Sequence, residues 1–570
     1  MQDFDAIVIG SGSGGLVAAL ALARAGRRVV VFEQHDLPGG YSQSFSIDGF
    51  SFSPGIHYIG QLGPGGGLRR IYEGLGVAND LVFFELDPDG YDRVVVGDER
   101  FDIPKGRDNF AERLKARFPS EAAGIDGYMQ IVSRMSSELI WSAPPHGVRD
   151  AVLMPLRMRT ILRYGMLPLT RFLDRFTRDP FLRAILSIQS GDHGMAPSRA
   201  PAALHAGLQD YYFDGGCYPR GGGHAIPDAL IEHIRRHGGE VVLGAEVERI
   251  LVENGRAIGV RLAGGRELRA DIVVSNTDPG VTWGRLVEAQ HVGARLRRRI
   301  ARMRYSLSTL SLFLGVDMDL RAAGIDSGNI WYSRTPDVDA AYRLAESGDL
   351  ARVEEIPGLF FNATTLKDPT LRSDGLHTVE AMALASPRAF ARWRSSRPGK
   401  RPLDYRHFKE LLSGKLLEAI ERFVPGLRER VVFRTLGTPL TNMHYLHASE
   451  GGIYGTEKTL FNLGPFSFPL RTSIRGLYQC GASTLAPGIN GVSKSGLGAA
   501  AAALGCKPEE LLTASGQSLR IYPAEDPSSW PEALRPKAAA QQPVRLQTVD
   551  LTGELTGASG PGPAARATRA

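Results

Sequence analysis

The sequence has few cysteines and lacks several motifs that mark common enzyme classes. Its 570 residues include 3 cysteines, Cys217, Cys480 and Cys506, which form no C-x-x-C pair. This usage excludes a disulfide framework, and it predicts an intracellular protein without a metal site. The chain also has no H-E-x-x-H, no G-x-S-x-G and no Walker loop. These absences argue against zinc proteases, serine hydrolases and P-loop ATPases.

Long hydrophobic runs are scarce as well. The stretch 6–23 is uncharged and reaches the lower length limit of a membrane-spanning helix. It contains four glycines with serines between them, and Asp3 and Asp5 precede it where a signal peptide would carry positive charge. The stretch therefore predicts a strand, a tight turn and a helix.

This strand, turn and helix carry a dinucleotide-binding pattern. A short apolar run, 6–9, is followed by the glycines Gly10, Gly12 and Gly15, then by an Ala/Leu-rich segment and a second apolar run that ends at Glu33. In a Rossmann unit such glycines allow the tight turn, the approach of a pyrophosphate and close helix packing. The terminal acid would accept hydrogen bonds from ribose hydroxyls. The pattern alone does not distinguish FAD from NAD.

The following residues favour FAD. Gly39-Gly40-Tyr41-Ser42 comes shortly after Glu33, and the spacing resembles the second FAD contact of the amine oxidase and phytoene desaturase superfamily. The string 52–60, Phe-Ser-Pro-Gly-Ile-His-Tyr-Ile-Gly, is similar to the retinol saturase and carotenoid isomerase branch of that superfamily. We find no second Rossmann motif, so a stably bound nicotinamide is not expected.

Two later segments resemble further parts of the same FAD domain. The first begins at Tyr218-Pro-Arg-Gly-Gly-Gly and continues through an alternating strand, 240–252, in which the backbone of Val247 would hold the adenine edge. A plain β-meander is the alternative. The second, 476–496, is similar to the C-terminal flavin motif, in which a new helix points its N-terminus at the flavin ring. Many relatives place an acid where this chain has Ala482, so backbone N–H groups or Ser483 would replace it.

These patterns predict an α/β fold with a discontinuous Rossmann-type FAD-binding domain and an interleaved α+β substrate domain. The FAD domain would comprise 1–100, 211–279 and 441–512, and the substrate domain 101–210 and 280–440. Residues 513–570 are rich in Pro, Ala, Gly and Gln and predict a disordered or loosely attached tail. The predicted FAD contacts are Gly10, Gly12, Ser13, Gly14, Gly15, Glu33, Gln34, Gly39, Gly40, Tyr41, Ser42, Val247, Gly481, Ala482, Gly488, Gly491 and Val492.

Three residues are candidates for the flavin- and substrate-facing wall. His57, Tyr58 and Tyr454 each lie in a glycine-rich string that resembles the family. The alternative is that each is a buried side chain satisfied by a backbone carbonyl. An enzyme that moves a hydride to or from a polyene needs mainly an apolar channel beside the flavin, so few acids or bases are expected.

One segment predicts contact with a membrane. Residues 151–183 combine seven arginines with many large apolar residues, against only Asp174 and Asp179. Such a segment suits an anionic interface, with guanidinium groups at the phosphates. Basic helices packed on the core are the alternative. No recognition module accompanies the basic residues, so nucleic acid is not an expected partner.

Two classes of function remain. The first is an FAD-dependent oxidoreductase that saturates, desaturates or isomerises a long apolar polyene such as a carotenoid or retinoid, in a cytoplasmic protein peripheral to the membrane. The second is a non-catalytic carrier of prenyl or polyene chains, since the Rab GDP-dissociation inhibitors share this fold. The intact glycines and Glu33 favour the first class. The direction of the reaction and the oligomeric state stay open.

Overall fold

The structure is a computed structural model that describes residues 3–139 and 148–535. Strands and helices are numbered in chain order. The strands are β1 Ala6–Ile9, β2 Val29–Phe32, β3 Phe45–Ile47, β4 Phe50–Phe52, β5 Val82–Glu85, β6 Asp92–Val96, β7 Glu99–Ile103, β8 Cys217–Pro219, β9 Glu240–Val242, β10 Val247–Glu253, β11 Arg256–Leu262, β12 Glu267–Arg269, β13 Ile272–Ser275, β14 Ser308–Val316, β15 Asn329–Ser333, β16 Gly358–Ala363, β17 His377–Ala385, β18 Val431–Gly437, β19 Leu477–Gln479 and β20 Arg520–Pro523. The α-helices are α1 Ser13–Arg24, α2 Gly67–Gly74, α3 Arg107–Arg117, α4 Ala122–Glu138, α5 Val148–Arg157, α6 Leu169–Leu173, α7 Pro180–Ile185, α8 Ala202–Tyr212, α9 Ala225–Arg236, α10 Pro279–Val281, α11 Ala294–Ala301, α12 Asp339–Ser347, α13 Thr364–Lys367, α14 Leu403–Glu421, α15 Pro439–Tyr445 and α16 Gly488–Leu504.

A five-stranded parallel sheet forms the centre of the nucleotide-binding part. Its order is β19-β13-β1-β2-β9, so three distant stretches of the chain supply one sheet. The strands β1 and β2 are wholly buried Val, Ile, Ala and Phe, as expected where helices cover both faces of a parallel sheet. All pairs run parallel, so the carboxyl ends of β1, β2, β13 and β19 meet at one edge.

A seven-stranded mixed sheet lies on the other side of the cavity from the nucleotide-binding part. Its order is β18-β14-β17-β16-β15-β6-β7. Helix α14 packs Leu412, Leu416 and Ile420 into the core of this sheet. The parallel sheet and the separate mixed sheet confirm the predicted α/β fold with a discontinuous Rossmann-type domain.

Several local predictions are wrong. β6 and β7 belong to the mixed sheet, so the predicted boundary of the FAD domain at residue 100 lies too late. The predicted single strand 240–252 is two strands, because Gly244 turns the chain with a φ of +66° between them.

The first part of the predicted tail is ordered. Strand β20 pairs in parallel with β5, and Trp530 stacks on Phe84 with ring centroids 4.2 Å apart. The indole N–H donates to the carbonyl of Pro523 at 2.7 Å. The burial of Trp530 and the pairing of β20 attach this otherwise polar segment to the fold, so 513–535 is not a loose tail. Residues 536–570 lie outside the described residues.

The basic segment 151–183 divides into buried and exposed parts. Ile161, Leu169, Phe172, Leu173 and Phe181 are buried in the core under α4 and α8 and cannot contact a membrane. The large apolar side chains that stay exposed are confined to 152–166, and they are Val152, Leu156, Leu162 and Met166. The prediction of an interface therefore narrows to this short stretch.

The contact of Trp530 yields a test of the ordered C-terminal segment. We expect Trp530→Ala to lower the free energy of unfolding by about 3–5 kcal/mol, because a fully buried aromatic ring leaves a cavity. Phe461→Ala is the control, since that ring is 80% exposed and its loss should change stability by about 0.5 kcal/mol or less. Urea unfolding followed by far-UV circular dichroism, whose signal does not rely on tryptophan, measures the free energy of unfolding of both variants. Equal losses of stability in the two variants would contradict the packing described.

Candidate active site

The turn between β1 and α1 brings the backbone close to neighbouring strands. Gly10 has a φ of +92°, and a Cβ on Gly15 would lie 2.2 Å from the carbonyl oxygen of Gly10. A Cβ on Gly12 would lie 2.7 Å from the side-chain nitrogen of Asn276, at the end of β13. Helix α1 begins without a side-chain cap, so its first N–H groups point to the space in front of the turn.

Glu33 lies at the end of β2 beside this turn. Its Oε2 accepts hydrogen bonds from the Ser11 amide at 2.8 Å and the Ser11 hydroxyl at 2.7 Å, while Oε1 accepts from the amide of His35 at 2.9 Å. These bonds fix the carboxylate at the rim of the turn, where it lines the same space as Gly12. The position suits the predicted contact with ribose.

The segment 39–42 passes close to the turn. Gly39 and Gly40 have φ values of +109° and +57°, and a Cβ on Gly40 would lie 3.3 Å from the Cα of Gly12. The hydroxyls of Ser13 and Ser42 lie 2.8 Å apart. Gly39 and Gly40, both with positive φ, therefore allow the chain to cross in front of the N-terminus of α1.

A second helix starts at the same place. After β19 the chain turns at Gly481, whose amide donates to the hydroxyl of Ser495 at 2.8 Å, and α16 then begins without a side-chain cap. The hydroxyl of Ser483 accepts from the amide of Thr456 at 3.0 Å, so this serine is partly engaged within the protein. The N-termini of α1 and α16 therefore converge.

A cavity of about 400 Å³ connects these elements with the mixed sheet. Glu33 and Val247 line one end, and the starts of α1 and α16 line its middle. The other end is apolar and aromatic, and its wall includes Ile188, Trp331, Tyr342, Leu359, Phe360, Met382 and Leu384. One continuous space thus runs from the nucleotide-binding turn to an apolar wall.

Most predicted FAD contacts line this cavity. Those that do are Gly10, Gly12, Ser13, Gly14, Glu33, Gln34, Gly39, Gly40, Tyr41, Ser42, Val247, Gly481, Ala482, Gly488 and Val492. Gly15 and Gly491 lie outside the lining. A Cβ on Gly491 would lie 2.4 Å from the carbonyl oxygen of Ala486, so this glycine serves the turn before α16.

Of the three residues predicted to form the flavin- and substrate-facing wall, two line the cavity and one does not. His57 and Tyr454 line the cavity, and His57 Nδ1 lies 3.0 Å from Glu380 Oε2. Tyr58 does not line it: the ring stacks on Tyr212 with centroids 4.3 Å apart, and the hydroxyl contacts the lining residue Asp192 and the buried Asp92 behind the wall. The expectation that Tyr58 faces flavin or substrate is therefore wrong.

A buried lysine lies behind His57. The ammonium of Lys367 donates to the backbone carbonyl of His57 at 2.6 Å and to the amide oxygens of Asn329 at 2.6 Å and Asn362 at 3.1 Å. Burial lowers the pKa of Lys367 to about 7. This group fixes the backbone of the predicted wall against the mixed sheet.

Sequence reasoning missed several residues of the site. Asn276 was findable, because it follows a parallel strand whose carboxyl end meets that of β1. Asp192, Trp331 and Tyr342 carried no local signal, since each lies in an ordinary stretch of the substrate-domain sequence.

The residues present fit a flavin dinucleotide. Two uncapped helix N-termini face one cavity, as an anionic diphosphate requires, and glycines stand where side chains would fill the space. The carboxylate of Glu33 borders the space that a ribose would occupy. Among the described residues no helix is both long and apolar enough to cross a bilayer.

Comparison with known proteins agrees with this geometry. The model of the flavin containing amine oxidoreductase family matches residues 13–320. The chain is 30% identical over 517 residues to all-trans-retinol 13,14-reductase of Danio rerio, covering 86% of this chain and 84% of the relative. It is 28% identical over 510 residues to the chloroplastic prolycopene isomerase of Arabidopsis thaliana, covering 87% and 81%.

A solved structure confirms the architecture. An oxidoreductase from Methanosarcina mazei superimposes with a TM-score of 0.59 at 20% identity, covering 86% of this chain and 98% of that one. At this identity the likeness shows the fold. With the family match, the predicted cofactor FAD and the predicted oxidoreductase class are confirmed. The chain is a member of the flavin containing amine oxidoreductase family.

Proposed function

We propose that the chain is an FAD-dependent oxidoreductase that saturates a carbon–carbon double bond of a retinoid or a related polyene. The single cavity that joins the nucleotide-binding turn to an apolar wall carries this proposal. The similarity to the retinol reductase of Danio rerio over most of both chains supports the direction of reaction.

The residues that line the middle of the cavity would hold FAD. The first N–H groups of α1 and α16 would face the negatively charged diphosphate and the reduced ring, and Glu33 would face the ribose. When bound, the flavin supplies a hydride at N5. The chain's own residues position the ring, exclude water and lay the substrate beside it.

The far wall suits a polyene. Its aromatic and aliphatic side chains offer a long apolar surface, which gains about 25 cal/mol for each Å² of apolar area removed from water. Such a wall binds a chain of double bonds without directional contacts, so the substrate can be positioned by shape alone. His57, held at Nδ1 by Glu380, and Tyr454 would orient the ring or the substrate.

A redox-neutral isomerisation is the second candidate. The similarity to the prolycopene isomerase of Arabidopsis thaliana favours it, and such a reaction would use the same cavity. A non-catalytic carrier has no need for contacts as close as those at Gly12 and Gly15, so the geometry of the turn argues against that class.

The exposed stretch 152–166 would bring the enzyme to its substrate. Val152 and Leu156 are 72% and 67% exposed, and Arg159 and Arg163 are exposed in the same stretch of the chain. Apolar side chains flanked by guanidinium groups suit an anionic bilayer surface. We infer a peripheral protein that takes an apolar substrate from the membrane.

The first prediction concerns FAD retention. Gly12→Val should reduce the ratio of flavin to purified protein at least about tenfold, because the new side chain would meet Asn276 and occupy the front of α1. Gly284→Val is the matched control, since no atom lies within 4 Å of a Cβ there. Flavin absorbance and circular dichroism measure occupancy and folding. Normal flavin content in the folded Gly12→Val variant would refute the assigned contacts.

The second prediction concerns the reaction. All-trans-retinol incubated with the reduced holoenzyme should gain about two mass units, because saturation adds a hydride and a proton. A panel of carotenoids, with and without air, separates the candidates by product mass and retention. An unchanged mass with altered retention would instead identify an isomerase, and a loss of two mass units would identify a desaturase.

The third prediction concerns membranes. Reversing Arg157, Arg159 and Arg163 to glutamate should weaken sedimentation with anionic vesicles, since each basic residue near such a surface contributes about 1 kcal/mol. The control reverses three exposed arginines of α11, Arg295, Arg297 and Arg298. Equal loss in both variants would show that only net charge matters and would contradict a defined interface at 152–166.

A further inference from the structure

One hydroxyl group lies between two carboxyl groups at the back of the cavity. Tyr58 Oη lies 2.7 Å from Asp192 Oδ2 and 3.1 Å from Asp92 Oδ2. A phenol has one hydrogen and can donate to one of these oxygens. The other contact is a hydrogen bond only if that carboxyl group carries a proton and donates it to the phenol oxygen. The three side chains therefore fit together best with one carboxyl group protonated.

The surroundings decide which carboxyl group holds the proton. Asp92 is fully buried and accepts from the Asn329 amide at 2.8 Å and the Gln189 amide at 2.7 Å, as well as from Tyr58. Asp192 has Tyr58 as its one hydrogen-bond partner among the described residues. Donors stabilise the ionised form, so Asp92 is the carboxylate and Asp192 is the acid.

The buried lysine supports this assignment. Lys367 donates to Asn329 Oδ1 at 2.6 Å, and this contact fixes the side-chain amide of Asn329 so that Nδ2 faces Asp92. The donor set of Asp92 is therefore built by the fold. Within 3–139 and 148–535, Tyr58 is the one side chain that forms a hydrogen bond with the carboxyl group of Asp192.

Asp192 is also placed for chemistry. Four carboxyl side chains line the cavity, and three are engaged elsewhere: Glu33 accepts from two backbone amides and a serine, Glu246 pairs with an arginine, and Asp278 caps α10. Asp192 is the fourth, and it lies in the apolar part of the wall with Trp331 and Tyr342. Its exposed portion faces the cavity.

We propose that Asp192 is the acid that gives a proton to the substrate during saturation, and that Tyr58 and Asp92 keep it protonated. This role rests on the proposed function. Tyr58 and Asp92 act through Asp192 and are positioning residues. Stacking of Tyr58 on Tyr212 holds the bridging hydroxyl in place.

The step balances in atoms and electrons. Reduction of a double bond breaks one π bond and forms two C–H bonds, one with the hydride of the reduced flavin and one with the proton of Asp192. Reduced flavin, when bound, would supply the hydride and with it two electrons; the O–H bond of Asp192 breaks, and its electron pair stays on the carboxylate oxygen. Solvent returns the proton after the product leaves.

The pKa values of the pair agree with the geometry. Burial, together with the charge of Asp92, raises the pKa of Asp192 to about 8, and burial raises that of Asp92 to about 6. Asp192 is thus protonated at neutral pH and ionises as the pH rises through about 8. The titratable groups facing it are Tyr58, Tyr91, Asp92, Tyr211, Tyr212, Tyr342 and Tyr454, and burial raises the pKa of each tyrosine above its ordinary value.

The test compares Asp192→Asn with Asp98→Asn, both as FAD-loaded full chains. Asparagine keeps the size of the side chain and can still contact Tyr58, but it carries no acidic proton. Asp98 is an exposed acid in the turn between β6 and β7, so its variant controls for loss of a carboxyl group.

The first readout does not depend on activity. Infrared spectra at neutral pH should contain the carbonyl stretch of a protonated carboxylic acid in the wild type and in Asp98→Asn, and this band should be missing in Asp192→Asn. Tyr58→Phe should shift the band, because the bridging hydroxyl is lost. A wild-type spectrum without a band from Asp192 would overturn the proposal.

The second readout is a single turnover of all-trans-retinol by the reduced holoenzyme. Loss of a proton donor costs about 10²–10⁴-fold in rate. We expect Asp192→Asn to show that loss with unchanged flavin content and unchanged retinol binding. The wild-type rate should fall as the pH rises above about 8, because the acid ionises.

The outcomes separate the two proposals. If the wild type and Asp192→Asn reduce retinol at equal rates, Asp192 is not the donor although the proposed function stands. If the wild type reduces no retinoid or carotenoid, the proposed function and the donor role both fail, and a persisting infrared band then marks Asp192 as a structural acid.

Discussion

The close approach of α1 and α16 is the contact on which the site depends. A Cβ on Gly496 would lie 2.0 Å from the carbonyl oxygen of Gly14, and one on Gly14 would lie 2.9 Å from that of Val492. The two helices therefore meet backbone to backbone. Because of this approach, the positive ends of both helices face one cavity, and their fields add where a dinucleotide would lie. Any side chain at the crossing would separate them.

Buried ionisable groups join the nucleotide-binding part to the mixed sheet. Glu380 of β17 accepts from the amide of Ser53 at 2.7 Å and contacts His57, while Lys367 holds the carbonyl of His57. Buried charges are costly unless they are well paired, so they contribute geometric definition more than stability. Glu380 and Lys367 thus fix the position of His57 in the cavity wall, although neither of them lines the cavity.

The nucleotide-binding unit could be predicted because its signals are local. Glycine spacing, two apolar strands and Glu33 lie within a short stretch, and the backbone geometry at Gly10 and Gly15 is what that spacing requires. The second helix of the site was predictable for the same reason.

Other parts could not be predicted, because they depend on contacts between distant residues. Glu380 and His57 are 323 positions apart, and no local pattern relates them. Tyr58 was assigned to the cavity because it lies beside His57 in the same glycine-rich string, whereas its hydroxyl contacts Asp92 and Asp192, which are 34 and 134 positions away. The C-terminal segment was misjudged because one tryptophan contact outweighs its polar composition.

The order of the strands also has a consequence for biosynthesis. β1 and β2 share a sheet with β19, β6 pairs in parallel with β15, and β5 pairs with β20. Each of these three sheets thus combines an early strand with one that leaves the ribosome much later. The N-terminal strands must wait with unpaired edges until most of the chain has been made, a state that is slow to fold and open to aggregation.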